Sequence, residues 1–254
     1  MNNFSDKFAF FIISSDKTSD ILSHSLVSYK KNIKNDYQFF IGANNNTVYK
    51  KISNATPIFV VKSNWKNETI HQINIIKKRF TKIKKILVLL DDFVINEHVN
   101  RQKLNFYINL SFKKNLNYLG LRSLKKSVFS KFSSQKKDIL EINRNYPYYF
   151  SLQAAIWDID YFLVSLKRSK SIWDFETMKS KKKHYCVNKT FIKYLHIVEK
   201  GRWIFYAKNF CLKNLGFFNP GGRKGNYSLY FIFKYILTRF LTYFFGQHFY
   251  KLNK

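Results

Sequence analysis

Acid is scarce in this chain. Fifteen Asp and Glu face 45 Lys and Arg over 254 residues, a formal charge of +30. Proline and glycine are scarce too, with 3 and 8 copies, which excludes collagen-like and Pro/Gly-rich low-complexity chains. The two cysteines, Cys186 and Cys211, lie far apart with no CxxC spacing, so neither a disulfide framework nor a zinc ribbon is expected. No stretch of ~20 uncharged apolar residues occurs, so no membrane span is expected. The first seven residues are polar and lack the apolar core of a secretory signal.

What is present is a folding composition. Hydrophobic residues make up 46% and aromatics 19%, too much apolar surface for a disordered basic tail and enough for one large domain. The positive balance attracts nucleic acid, anionic lipid or phosphorylated small molecules. Only eight of the 45 basic residues are Arg, and the lysines are dispersed among Asn, Ile, Phe and Tyr, a pattern of AT-rich coding. Base readers depend on the bidentate Arg fork, and no nucleic-acid-binding module is visible, so no nucleic-acid partner is expected. A basic nucleic-acid-binding protein and a non-catalytic membrane-surface protein stand as the alternatives to an enzyme.

Along the chain, the run Phe8–Ile13 followed by Ser14, Ser15 and Asp16 reads as a buried strand opening into a polar loop. A helix is predicted behind Thr18 and Ser19, then strands over 37–41 and 57–61 and a helix over 66–80. Next comes "ILVLLDDF", an aliphatic strand ending in Asp91 and Asp92. A helix over 97–112, a short strand within 117–124, a loop or weak helix over 127–144 and a helix over 158–167 complete the pattern. Strand, helix, strand, strand, helix, strand indicates an α/β fold whose polar strand ends, Ser14 to Asp16, Asn44 to Asn46 and Asp91 with Asp92, meet at one edge.

Two carboxylates at a strand's carboxyl end suit a hard divalent cation, which takes oxygen ligands and bridges to substrate phosphates. The same residues would also serve if Asp92 capped a turn and Asp91 paired with a lysine. His184 and His196 are further candidate ligands, although a lone histidine is more often structural.

The succession "FFIISSDKTSDI", "FFIGANN", "SNW", "ILVLLDDF", "YLGL", "YYFSLQAAIWDIDYFLVSLKRSKSIWDFE" and "VEKGRW" resembles bacterial surface-polysaccharide glycosyltransferases of the O-antigen and capsule type, over about residues 8–215. The resemblance implies a GT-A fold, a central, mostly parallel mixed sheet flanked by helices. It further implies a nucleotide-diphosphate sugar donor, a glycan or lipid-linked acceptor, and Mn²⁺ or Mg²⁺. Asp92 would hold the cation and Asp91 the ribose or the cation's surroundings. Ser14, Asp16 and Asn44 would bind the nucleoside. For an inverting transfer Glu176, or else Asp174, is the expected base, and Gln153, Trp157 and Trp173 are expected to line the sugar site. Trp65 and Trp203 are assigned to packing.

The expected organisation is a transferase domain over residues 1–218 and a tail over 219–254, with "NPGGRKGN" as a hinge. Over 227–245 the sequence reads as a helix with a narrow stripe of Lys234, Thr238 and Thr242 on a broad aromatic surface. Such a helix suits an anionic membrane surface, hence an expected peripheral position on the cytoplasmic face of a bacterial plasma membrane. Packing of that helix on the domain is the other use of the same pattern.

Overall fold

The structure, a computed structural model, describes residues 4–33, 37–44, 55–124, 138–146, 149–199 and 201–226, together with 233, 236, 237 and 240. The first half alternates as expected: β1 (Phe8–Ile13), α1 (Ser19–Asn32), β2 (Gln38–Ala43), β3 (Thr56–Phe59), α2 (Trp65–Arg79) and β4 (Lys85–Leu90). Then follow β5 (Phe93–Ile95), α3 (Arg101–Lys113), β6 (Tyr118–Gly120), β7 (Ile139–Glu141), β8 (Ala155–Asp158), α4 (Ile159–Arg168) and α5 (Ile172–Thr177). The described chain continues with β9 (Tyr185–Val187), β10 (Tyr194–His196), β11 (Val198–Glu199), β12 (Arg202–Ile204), α6 (Ala207–Leu215) and β13 (Gly225–Asn226).

One eight-stranded sheet in the order β3-β2-β1-β4-β8-β6-β9-β7 organises the molecule. β1 to β4 run parallel, and β8 runs antiparallel between β4 and β6. This is the expected α/β architecture, a mixed and mostly parallel sheet flanked by helices. Its centre follows from period-two geometry on a strand covered on both sides. Phe8, Phe10 and Ile12 of β1 join Leu22 and Tyr29 of α1 on one face, while Ala9, Phe11 and Ile13 join Ile73 and Ile76 of α2 on the other. A satellite cluster of Ile21, Val94, Ile197, Trp203, Ala207 and Cys211 carries the later strands onto α1.

Several expectations are corrected. The helix predicted over 97–112 starts at Arg101, because Asn100 caps it by accepting from Lys103 N at 2.9 Å. The residues before it form β5, which pairs with β10. The segment expected as a loop or weak helix over 127–144 lies partly outside the described residues, and its far end forms β7 against β9. Residues 219–226, expected as a hinge, are fastened instead: β13 pairs with β12, and Trp203 Nε1 donates to Pro220 O at 2.8 Å. The stripe residues Lys234, Thr238 and Thr242 lie outside the described residues. Among the described residues, no helix is long and apolar enough to cross a membrane.

Candidate active site

The parallel strands β1, β2 and β4 end on the same edge of the sheet, and the polar residues that follow them meet there. Asp16 N donates to Asn44 Oδ1 at 3.2 Å and Asn44 N donates to Asp16 Oδ1 at 2.9 Å, a reciprocal pair that staples the loop after β1 to the end of β2. Beside it opens a cleft of about 300 Å³, at the small end of the range for ligand sites. Ser14, Lys17 and Thr18 from the loop after β1 line it together with Lys62 from just before α2, Trp65 and Glu68 from its first turn, and Asp91 from just after β4. The wall of α2 is fixed at its start: Asn64 caps the helix by accepting from Asn67 N, and Glu68 Oε1 accepts from Ser63 N at 2.6 Å.

α1 holds the Asp91–Asp92 turn by its backbone. Tyr29 donates its hydroxyl to Leu90 O at 2.8 Å, and Ser25 donates to Asp91 O. The two carboxylates then diverge. Asp91 faces the cleft, where burial and then the charge of Asp92 push its carboxyl up from 3.8 to about 7, partly opposed by hydrogen bonds from Thr18 and Ser14. Asp92 turns toward β10: His196 Nδ1 donates to its Oδ2 at 3.0 Å, and its Oδ1 is buried without a hydrogen-bond partner among the described residues.

That orphaned oxygen tests the expected cation. Among the described residues no three His, Cys, Asp or Glu side chains converge into a metal site. The oxygen donors here would suit a hard cation that takes most of its ligands from outside the protein, with Asp92 offering its unpartnered oxygen and Asp91 a neighbouring charge. They do not fit a structural metal held by protein alone.

The remaining predicted residues divide. Glu176 and Asp174 sit on α5, whose Ile172 borders the cleft. Glu176 Oε1 accepts from Leu152 N at 3.4 Å, on the turn just before Gln153. Asp174 is tied down, accepting from Lys170 N at 2.6 Å through the loop that enters its own helix. Gln153 Oε1 accepts from Arg122 Nη1 at 2.8 Å and from the Tyr194 hydroxyl, and Tyr194 stacks on Phe93, next to Asp92. Trp173 is 62% exposed.

Trp157 does not line a sugar site. It is wholly buried, packed against Tyr118 and Phe162 with ring centroids 4.5 and 4.8 Å away, because its position on a central antiparallel strand points it into the core. His184 is also structural: its ring stacks on Tyr149 at 4.2 Å, its Nδ1 donates to Tyr149 O, and burial lowers it to about 4. Lys17 and Lys62 were not singled out from the sequence, and the packing expected of Trp65 is found, with the same side chain also bordering the cleft. Lys17 stands in the "SSDKTSD" loop directly after β1, and Trp65, assigned to packing, opens α2 just behind its cap at the cleft. An aromatic in the first turn of a helix that begins at the ligand edge of a parallel sheet was the available signal.

No protein-family model matches the chain, and no curated protein does. Among solved structures it is similar to S. aureus TarS 1-349, at 13% identity and a TM-score of 0.44, covering 74% of this chain and 59% of that one. A second S. aureus TarS structure gives 13% identity and a TM-score of 0.48, covering 77% of this chain and 37% of the other. A 4-diphosphocytidyl-2C-methyl-D-erythritol synthase gives 11% identity and a TM-score of 0.47, covering 81% and 97%. The chain thus spans 59% and 37% of the TarS chains. The site and its chemistry rest on this chain's own geometry.

Proposed function

We propose that the chain is a glycosyltransferase of GT-A type that moves a sugar from a nucleotide-diphosphate donor to a glycan or lipid-linked acceptor in bacterial surface-polysaccharide synthesis. The observation that carries the reading is the cleft at the carboxyl edge of β1, β2 and β4, which is lined by Lys17, Lys62 and the Asp91 carboxylate. Trp65 and Asn44, which line the cleft, are assigned the nucleoside, and Lys17 and Lys62 are assigned the charge of its phosphates. A divalent cation held by Asp92, with Asp91 beside it, would supply Lewis-acid stabilisation of the leaving diphosphate. Glu176 is assigned the proton of the acceptor hydroxyl, Asp174 is the second choice, and Gln153 and Trp173 orient the acceptor.

Calorimetric titration of uridine, guanosine and thymidine diphosphates, with and without Mn²⁺, tests the site. The expected result is Mn²⁺-dependent binding that Asp92→Asn removes; binding indifferent to Mn²⁺ and to that substitution would overturn the metal role.

The acceptor side of the proposal includes contact with anionic lipid. Phe233, Ile236, Leu237 and Phe240 are helical at i, i+3, i+4 and i+7 and are 67, 57, 42 and 59% exposed. Residues 200–254 contain ten Lys and Arg and no Asp or Glu. An apolar helix face in an acid-free segment is complementary to a negatively charged bilayer. Flotation with phosphatidylglycerol vesicles should recover the protein, and serine at these four positions should abolish recovery. Equal recovery with neutral phosphatidylcholine vesicles, or no loss in the variant, would refute the contact.

A further inference from the structure

We propose that Arg223 is a positioning residue for the cleft, holding the loop after β1 in the shape that receives a nucleoside diphosphate; the inference rests on the donor reading above. Arg223 lies more than 200 positions from that loop in sequence, yet one guanidinium binds it twice over. Nε donates to Asp20 Oδ2 at 2.6 Å and Nη2 to Asp20 Oδ1 at 3.1 Å, a two-pronged ion pair at the start of α1. Nη2 also donates to Lys17 O at 2.6 Å, and Nη1 to Gly201 O at 3.4 Å. Four hydrogen bonds go to protein groups, so the side chain acts on a ligand through the loop. Both partners are shielded, with side chains 18% and 17% exposed, so solvent screens the pair only in part.

The strap that presents Arg223 is itself fixed at three points. Asn219 N donates to His24 Nε2 at 3.0 Å, and the same ring donates from Nδ1 to Asp20 O at 3.0 Å. Pro220 O accepts from Trp203. Gly221 has φ +53°, and a Cβ there would stand 2.8 Å from Asp20 Cβ, so only glycine lets the strap lie this close to α1. The clamped segment carries Ser14, Ser15, Lys17 and Thr18, all of which line the cleft, and the Arg223 charge reaches Asp91, where it favours the ionised carboxylate. A guanidinium anchored at this depth fixes loop geometry before the ligand arrives, which lowers the ordering cost of binding.

The test compares full-length wild type with Arg223→Gln, Arg223→Lys and Asp20→Asn, each checked for folding by thermal melting. Binding of uridine and guanosine diphosphates with Mn²⁺ is measured by calorimetry, and transfer or donor hydrolysis by its KM and kcat. Arg223→Gln and Asp20→Asn should each weaken binding and raise donor KM about tenfold or more, leaving kcat at saturating donor nearly unchanged. Lysine can reach Asp20 but cannot also bridge to Lys17 O, so Arg223→Lys should fall between. The double variant should be no weaker than Arg223→Gln alone, because that substitution already removes every guanidinium contact with Asp20. Wild-type affinity in a folded Arg223→Gln or Arg223→Lys protein, or a loss confined to kcat, overturns the assignment and leaves the donor reading standing. If wild type itself binds neither diphosphate, the donor reading fails, and this inference with it.

Discussion

Replacing Asp91 with Asn should make the metal-free protein more stable at pH 8 than wild type, although it removes a side chain from the proposed site. Asp91 titrates at about 7 in the fold against 3.8 in a free chain, first because it is desolvated and second because Asp92 is adjacent. Between pH 4 and 7 the folded state therefore binds more protons at this position than the unfolded state. Stability falls as pH rises through that window, and the full penalty is present above it. A rise from 3.8 to about 7 corresponds to about 4 kcal/mol. Asp91 borders a cleft open to water, and screening there brings the expected effect to about 2 kcal/mol.

His184 has the opposite slope: lowered to about 4 by burial, it loses stability as pH falls from 6.5 toward that value. Wild type alone would show the two slopes partly cancelled. The informative quantity is the difference between Asp91→Asn and wild type, measured by urea unfolding in chelator at several pH values from 4.5 to 8. That difference should shift by about 2 kcal/mol in favour of the variant across the window. Adding Mn²⁺ with a nucleoside diphosphate at pH 8 should then stabilise wild type more than the variant. A difference that stays flat with pH would refute the burial and pairing argument.

Glu176→Gln should reduce transfer by about a hundredfold or more with donor affinity unchanged, as measured by initial rates and calorimetry, because it removes a proton acceptor and leaves the cleft wall intact. Trp65→Ala should weaken nucleoside diphosphate binding about tenfold, whereas Trp157→Phe should lower the melting temperature and leave affinity alone. Gln72 is wholly buried with neither amide atom hydrogen-bonded among the described residues, so Gln72→Met should raise stability by about 1–2 kcal/mol in urea unfolding. Gly42→Ala places a Cβ 2.5 Å from Gln72 Oε1 and should cost about 1–3 kcal/mol, a loss that shrinks in a Gln72→Ala background.

The first half of the fold was legible because β1 and β4 are continuous apolar runs and α1 and α2 carry helical periodicity, each closed by a cap or a polar loop. The meeting of Ser14, Asp16, Asn44 and Asp91 was legible for the same reason, since parallel strands put their carboxyl ends on one edge. β5, β7 and β10 were not, being three-residue strands whose pairing is set by long-range contacts rather than local pattern. Trp157 was misread because one position in a short strand decides between core and cleft, and register there comes from β4 and β6. Arg223 was invisible as a contributor: "PGGRKG" reads locally as a turn, and nothing in it reveals that Gly221 lies against Asp20.

The distribution of acid across the fold argues for what the carboxylate pair awaits. Asp6, Asp20, Glu97, Glu141, Asp158 and Asp160 each stand within 4 Å of a Lys or Arg nitrogen. In a chain with three basic residues for every acidic one, such partners are easily supplied. Yet among the described residues neither Asp91 nor Asp92 forms an ion pair with Lys or Arg; one binds hydroxyls, the other a histidine, and one buried oxygen has no partner. Two like charges side by side in a partly desolvated turn are destabilising, and the hydroxyls, His196 and the more distant Arg223 offset that only in part. A divalent cation held by Asp92, as proposed, would supply the missing counter-charge, and a diphosphate bound in the cleft beside Asp91 would also meet the charges of Lys17 and Lys62.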